Sequence, residues 1–143
     1  MLEKVARIRK KFLFGLLVLF VLCLTGCSVT DLGGEKRQEL DFTVVEKEDI
    51  PEELKTSIEE KKEKPFKLTY TDQGRMYIAR GYGKKQTSGY SIKVTDVYET
   101  EQAIHIRTEL EGPGERETVI QKSTYPYTVI RLDDYGRSIV FEE

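Results

Sequence analysis

The chain predicts a mainly β, α+β fold: a small antiparallel β-sandwich or barrel of about seven strands with one N-terminal helix. Three observations carry that expectation. From Pro65 onward apolar residues recur every second position, as in Phe66, Leu68, Tyr70 and again in Ile104, Ile106. Turn chemistry separates these runs: Asp72-Gln73-Gly74, Thr100-Glu101-Gln102, Glu111-Gly112-Pro113-Gly114 and Asp133-Asp134-Tyr135-Gly136. The helical spacing of four is carried by Ile50, Leu54 and Ile58.

Residues 1–26 read as a signal peptide outside the fold. Lys4, Arg7, Arg9, Lys10 and Lys11 make a basic start, and Phe12 to Leu24 is a run of 13 residues without charge. That length suits a signal core and falls short of the roughly 20 residues a spanning helix needs. The run ends in Leu24-Thr25-Gly26-Cys27. A small residue directly before a cysteine resembles a bacterial lipoprotein signal, which implies cleavage before Cys27 and lipidation of its thiol. The alternative is a plain secretory signal or a signal anchor. Cys23 would leave with the signal, so the mature chain would have no free thiol for a disulfide, a nucleophile or a metal site. Two or more acyl chains hold a protein stably on a bilayer. The expected location is therefore extracytoplasmic, with the membrane reached through the lipid anchor.

Removing that segment takes five of 23 basic and one of 25 acidic residues, leaving 18 against 24 and a net charge of −6. An acidic surface argues against nucleic acid as a partner. The remaining 117 residues suit one small domain with one core. Residues 27–40 read as the lipidated cysteine and a polar tether with paired glycines, and 41–143 as a single globular domain. As a coil such a tether has ends about 20 Å apart; fully stretched it reaches roughly 40 Å.

Phe42 to Glu46 predicts a first strand. Asp49-Ile50-Pro51-Glu52-Glu53 then opens a helix, with proline tolerated in the first turn and acids placed to suit the dipole. Lys61, Lys62 and Lys64 favour its other end, and Pro65 stops it. So narrow an apolar stripe places the helix on the outside of a sheet. Strands follow at Phe66–Tyr70, Met76–Ala79, Tyr90–Glu99, Ala103–Leu110, Thr118–Gln121, Tyr127–Leu132 and Ser138–Phe141. The inward set Tyr90, Ile92, Val94 shifts phase to Val97, which predicts a β-bulge near Thr95-Asp96.

Catalytic chemistry finds few candidates. His105 is the single histidine and alternates with Ile104 and Ile106, so it faces solvent or a strand neighbour, with no oriented serine and carboxylate identifiable from spacing. No transition-metal or calcium spacing occurs around it or around Asp133-Asp134. Gly83-Lys84-Lys85 is no phosphate loop, because Ile78 stands where that motif needs its first glycine and Lys85 where it needs a hydroxyl. The chain is read as a non-enzyme with no catalytic residue, no metal and no cofactor.

Gly81 to Val94, GYGKKQTSGYSIKV, reads instead as an irregular loop feeding a strand. Glycine opens backbone angles closed to other residues, and tyrosine beside glycine and serine is the composition of rigid contact surfaces. Gly83, Thr87, Gly89 and Tyr90, followed about thirty residues later by Tyr125-Pro126-Tyr127 and Val129, resemble the C-terminal domain of PrcB-type protease-complex lipoproteins. The resemblance covers roughly Met76 to Leu132. Where that family's loop runs Lys-Pro-Thr-Gly-Gly-Tyr, this chain has Gln86 for the proline and Ser88 for the first glycine.

The resemblance implies a non-catalytic binding subunit of a secreted or surface protease. The expected contact set is Tyr82, Gly83, Lys84, Lys85, Thr87, Gly89, Tyr90, Tyr125, Pro126 and Tyr127. A structural account instead buries Tyr90 and Tyr127 in the core, which is the reading taken for those two, and uses Pro126 to end pairing at a sheet edge. Tyr82, Lys84 and Lys85 are read as surface. Thr87-Ser88-Gly89-Tyr90 is also similar to the Thr-Thr-Gly-Tyr loop of chagasin-like cysteine-protease inhibitors, although the tryptophans usual there are missing from this chain. An envelope or spore-surface lipoprotein with no protease partner is the third reading.

Overall fold

The helical stripe docks as its spacing predicts. In a computed structural model, which describes residues 36–143, helix α1 spans Glu52–Lys61 and buries Leu54 and Ile58, with Ile50 just ahead of it also buried. Glu52 and Glu53 in the first turn and Lys61 in the last suit the dipole. Ten residues are marginal as an isolated helix, so the sheet beneath holds it. Burying Ile50, Leu54 and Ile58 supplies roughly 5–8 kcal/mol as an upper estimate.

Among the described residues eight strands form two four-stranded sheets. They are β1 (Gln38–Glu39), β2 (Thr43–Val44), β3 (Pro65–Asp72), β4 (Arg75–Tyr82), β5 (Ser91–Glu99), β6 (Ala103–Glu111), β7 (Tyr127–Asp133) and β8 (Ser138–Glu142). One sheet runs β1-β5-β6-β8 and the other β2-β7-β4-β3, a sandwich with no closed barrel. A 3-10 turn, Lys47–Asp49, leads toward α1. The β3–β4 hairpin closes on Gln73 and Gly74, both at positive φ (46° and 73°), as a two-residue turn between Asp72 and Arg75 requires.

Two apolar layers flank the β2-β7-β4-β3 sheet. Met76, Ile78, Ile130 and Leu132 face Leu40, Val97, Ile104 and Ile106 of the other sheet side. Tyr77, Ala79 and Val129 face Ile50, Leu54 and Ile58 on the helix side. Strands β4 and β7 are thus covered on both faces, which explains why Met76-Tyr77-Ile78-Ala79 is a continuous buried run. The predicted bulge is present, with the β5–β6 register shifting between Val94 and Asp96.

Several expectations are corrected. The strand expected over Phe42 to Glu46 is only Thr43–Val44, and it is the second in order. The tether expected to reach Leu40 ends earlier: Gln38 and Glu39 pair with Glu99 and Tyr98, and Leu40 is buried in the core between the sheets. Strand β4 extends through Gly81 and Tyr82, because the Phe66 ring packs over Gly81 where no side chain interferes. Thr118–Gln121 forms no strand. Val119 and Ile120 are adjacent rather than alternating, and Ile120 stays 66% exposed.

The sandwich is also not wholly antiparallel, since β8 pairs with β6 in parallel, Ala103 opposite Ser138. The link 134–137 between β7 and β8 is four residues, able to span about 14 Å. Strand β6 runs nine residues, about 30 Å. So short a link reaches only the near end of β6, and β8 enters in the same direction. The expected signal peptide and Cys27 lie outside the described residues. Among the described residues no helix is long and apolar enough to cross a membrane.

Candidate docking cleft

The site grows from one pairing. Strands β4 and β7 are antiparallel neighbours with Gly81 opposite Tyr127, so the loop leaving β4 and the loop entering β7 rise from the same end of the sheet. Backbone bonds continue the ladder into both loops: Tyr82 N–H donates to Pro126 O (3.1 Å), Lys85 N–H to Thr124 O (2.8 Å) and Thr124 N–H to Lys85 O (3.0 Å). Further out, Thr124 Oγ1 donates to Thr87 O (2.6 Å), Ser88 N–H to Ile120 O (3.0 Å) and Ile120 N–H to Ser88 Oγ (2.9 Å). Lys84 N–H reaches Glu63 O near the end of α1 at 3.2 Å. The two loops are one braced unit.

Two glycines make the bracing possible. Gly83 and Gly89 sit at φ +72° and +89°, left-handed backbone that a side chain resists. A Cβ at Gly89 would also stand 2.7 Å from Pro113 Cβ, so the loop carrying Pro113 packs directly against it.

Between the braced loops and the start of β5 lies a cleft of about 310 Å³. Tyr90, Tyr125, Pro126 and Tyr127 line it with Ser88 to Ile92, Thr124 and Lys47. Lysine ammonium groups lie over each of its three tyrosines: Lys47 over Tyr127 at 5.7 Å, Lys62 over Tyr125 at 5.0 Å and Lys85 over Tyr90 at 5.8 Å. Lys62 is also paired with Glu59, whereas Lys47, Lys84 and Lys85 have no ion-pair partner among the described residues. Burial holds the Tyr127 phenol above its ordinary ionisation range, with Glu59 adding to the effect and Lys62 opposing it.

Of the residues singled out from sequence, Gly89, Tyr90, Tyr125, Pro126 and Tyr127 come together around the cleft. Gly83, Lys85 and Thr87 frame it, and Lys84 is exposed beside it. Tyr90 and Tyr127, expected inside the core, are both only half-buried: Tyr127 packs against the helix-side cluster, and Tyr90 lies outside both apolar clusters.

Tyr82 departs from its surface assignment. Strand parity turns it inward, its hydroxyl lies 2.9 Å from Thr108 O and 2.7 Å from Thr108 Oγ1 on the opposing sheet, and Arg80 covers its ring at 4.6 Å. It pins the two sheets below the cleft and does not line it. The expected contact set missed Lys47, Ser88, Ser91, Ile92 and Thr124 as lining residues. Nothing local marks Lys47 or Thr124. The alternation entering β5 was the available signal for Ile92.

The histidine lies elsewhere, on the outer face of the β1-β5-β6-β8 sheet. His105 stacks on Tyr98 with centroids 4.8 Å apart, and Arg37 covers the Tyr98 ring at 3.8 Å. Glu142 gathers the Tyr98 hydroxyl (2.6 Å), His105 Nδ1 (3.2 Å) and the Arg107 guanidinium (2.8 Å). Thr100 Oγ1 lies 3.5 Å from His105 Nε2, giving the order hydroxyl–imidazole–carboxylate. Thr100 is buried (4% exposed), and its hydroxyl donates to Ala103 O and accepts from the amides of Gln102 and Ala103. It serves a turn, and a substrate carbonyl has no approach to it. Among the described residues no cluster of side chains suits a metal ion.

Residues 76–133 match the family model described as PrcB C-terminal, over nearly the span in which the sequence resembled it. No curated protein and no solved structure matches the chain.

Proposed function

We propose, taking the PrcB C-terminal match of residues 76–133 as premise, that this protein is a membrane-anchored, extracytoplasmic docking subunit of a protease complex. The observation that carries the reading is the cleft built by two hydrogen-bonded loops, with Tyr90, Tyr125 and Tyr127 displayed on a frame stiff enough to bind without reordering. A pre-ordered aromatic surface loses little conformational entropy when a partner covers it. The matched span contains the whole of that cleft except Lys47. A basic signal segment ending at Cys27 supports the anchor.

The inhibitor reading gains nothing from this geometry. Its Thr87-Ser88-Gly89-Tyr90 loop is tied down at Thr87 and Ser88 and leaves no free tip to enter a protease cleft. Membranes solubilised in mild detergent and captured through a tag on this chain should yield a protease. The double variant Tyr90→Ala, Tyr127→Ala should lose it while keeping the fold by circular dichroism. Undiminished capture by that variant would place the contact elsewhere. Labelled palmitate should enter the wild type and not Cys27→Ala. A turnover assay on the purified chain showing hydrolysis of casein would sink the non-catalytic assignment.

A further inference from the structure

The cleft opens onto an unpaired strand edge. Strand β1 covers β5 only at Tyr98 and Glu99, with Leu40 N–H adding a bond to Val97 O (3.0 Å). From Ser91 to Asp96 no backbone group among the described residues meets that edge. Antiparallel pairing alternates which residues point their N–H and C=O to each side. Val97 points outward to Leu40, and the bulge at Thr95 restores the phase, so Ile92 and Val94 also direct their backbone groups to the open side. The described residues ahead of β1, Lys36 and Arg37, fall beyond Glu99 in its antiparallel register.

Ser91 and Ile92 belong both to this edge and to the wall of the tyrosine cleft. We propose that the open edge of β5 accepts an extended, acidic segment of the partner polypeptide as an added strand, its side chains reaching the tyrosine cleft. The inference rests on the docking reading above and specifies its mode. Strand addition takes affinity from main-chain bonds and specificity from adjoining side-chain pockets, and this site offers both side by side.

Charge identifies the occupant. The mature chain is acidic overall, yet Lys47, Lys84, Lys85 and Lys93 around the cleft and the edge have no ion-pair partner among the described residues. Of the nearby carboxylates, Asp96 pairs with Arg37 and Arg107, Glu111 accepts from Ser91 Oγ and Glu117 from the Gly114 amide, while Glu109 stands opposite Lys93 in the β5–β6 register with no ion pair among the described residues. A lysine and a bulge on an edge strand discourage pairing with a second copy of the same edge. The same Lys93 attracts a strand that carries carboxylates.

The test uses the full chain in mild detergent and a fluorescein-labelled peptide alternating glutamate and valine, about seven residues long to match the edge at about 3.3 Å per residue. N-methylating alternate amides of one parity should weaken binding at least about tenfold, and methylating the other parity should leave it unchanged, because only one side of the added strand meets β5. Lys47→Glu with Lys85→Glu should lower affinity for this peptide and raise it for the lysine–valine counterpart. Ile92→Pro removes an outward N–H and no β5–β6 bond, so it should abolish peptide binding with the thermal midpoint preserved.

Equal loss for both methylation patterns overturns strand addition. So does tighter binding of the lysine peptide to the wild type, or self-association in sedimentation that competes with the peptide. Capture of the protease, measured in parallel, separates the two levels. Capture lost with Tyr90→Ala, Tyr127→Ala but kept with Ile92→Pro refutes strand addition and leaves docking standing. Capture kept in both refutes docking at this cleft and with it strand addition.

Discussion

Removing one oxygen from Tyr82 isolates the bond that ties the two sheets together beneath the cleft. The phenol contacts Thr108 O at 2.9 Å and Thr108 Oγ1 at 2.7 Å, while its ring packs under the Arg80 guanidinium. Tyr82→Phe keeps the ring and its packing, so the loss is confined to hydrogen bonding. A neutral bond of this kind nets about 1 kcal/mol, and stranding a half-buried partner adds to it. The expected cost is about 1–2 kcal/mol, or a melting midpoint lowered by about 4–8 °C per kcal/mol in a domain of this size. Urea unfolding followed by far-ultraviolet circular dichroism measures it. Thr108→Val keeps the backbone carbonyl but removes the side-chain hydroxyl, so a double-mutant cycle isolates the second contact, with a coupling of about 0.5–1 kcal/mol. A Tyr82→Phe cost below about 0.3 kcal/mol, or a cycle that is additive within that margin, would refute the pin and return Tyr82 to the exposed surface.

Gly89→Ala combines an unfavourable φ with a clash against Pro113 and should cost about 2–4 kcal/mol. Hydrogen exchange should show the Ser88 and Lys85 amides opening first, and unchanged protection would contradict the bracing. Ile58→Ala empties a fully buried site between α1 and the sheet and should cost about 2–4 kcal/mol in denaturant unfolding; a smaller loss would mean the helix is loosely docked. The Tyr98 phenol, ahead of Arg107 and His105, holds the Glu142 carboxyl below its ordinary value of 4.5. A lowered native pKa gives stability that is complete above the unfolded value and lost as pH falls through the native one. Wild type should therefore lose stability more steeply than Glu142→Gln from about pH 4.5 downward. Parallel pH profiles of thermal midpoint would remove that role from Glu142.

The elements legible in sequence were those whose signal is local. Ile50, Leu54 and Ile58 needed only helical spacing, the turn at Gln73-Gly74 only its residue types, and the bulge only the break between Val94 and Val97. Thr118–Gln121 misled because Val119 and Ile120 have strand propensity without a face to bury. Tyr82 misled because a tyrosine beside glycines reads as surface until the parity of β4 is known. Lys47 belongs to the cleft only through the path the chain takes from β2 toward α1.

The amino-acid order alone determined the period-two strands, helix α1 and the composition of two glycine- and tyrosine-bearing loops, since each depends on neighbours a few residues away. Tertiary structure decided that β4 and β7 stand side by side, that β8 enters parallel to β6, and that most of β5 has no neighbour on one edge among the described residues, beside three tyrosines. Those outcomes follow from long-range pairing, in which residues such as Lys85 and Thr124 meet across 39 positions. No periodicity within either segment encodes the other's address, so only the closed ladder brings the cleft into being.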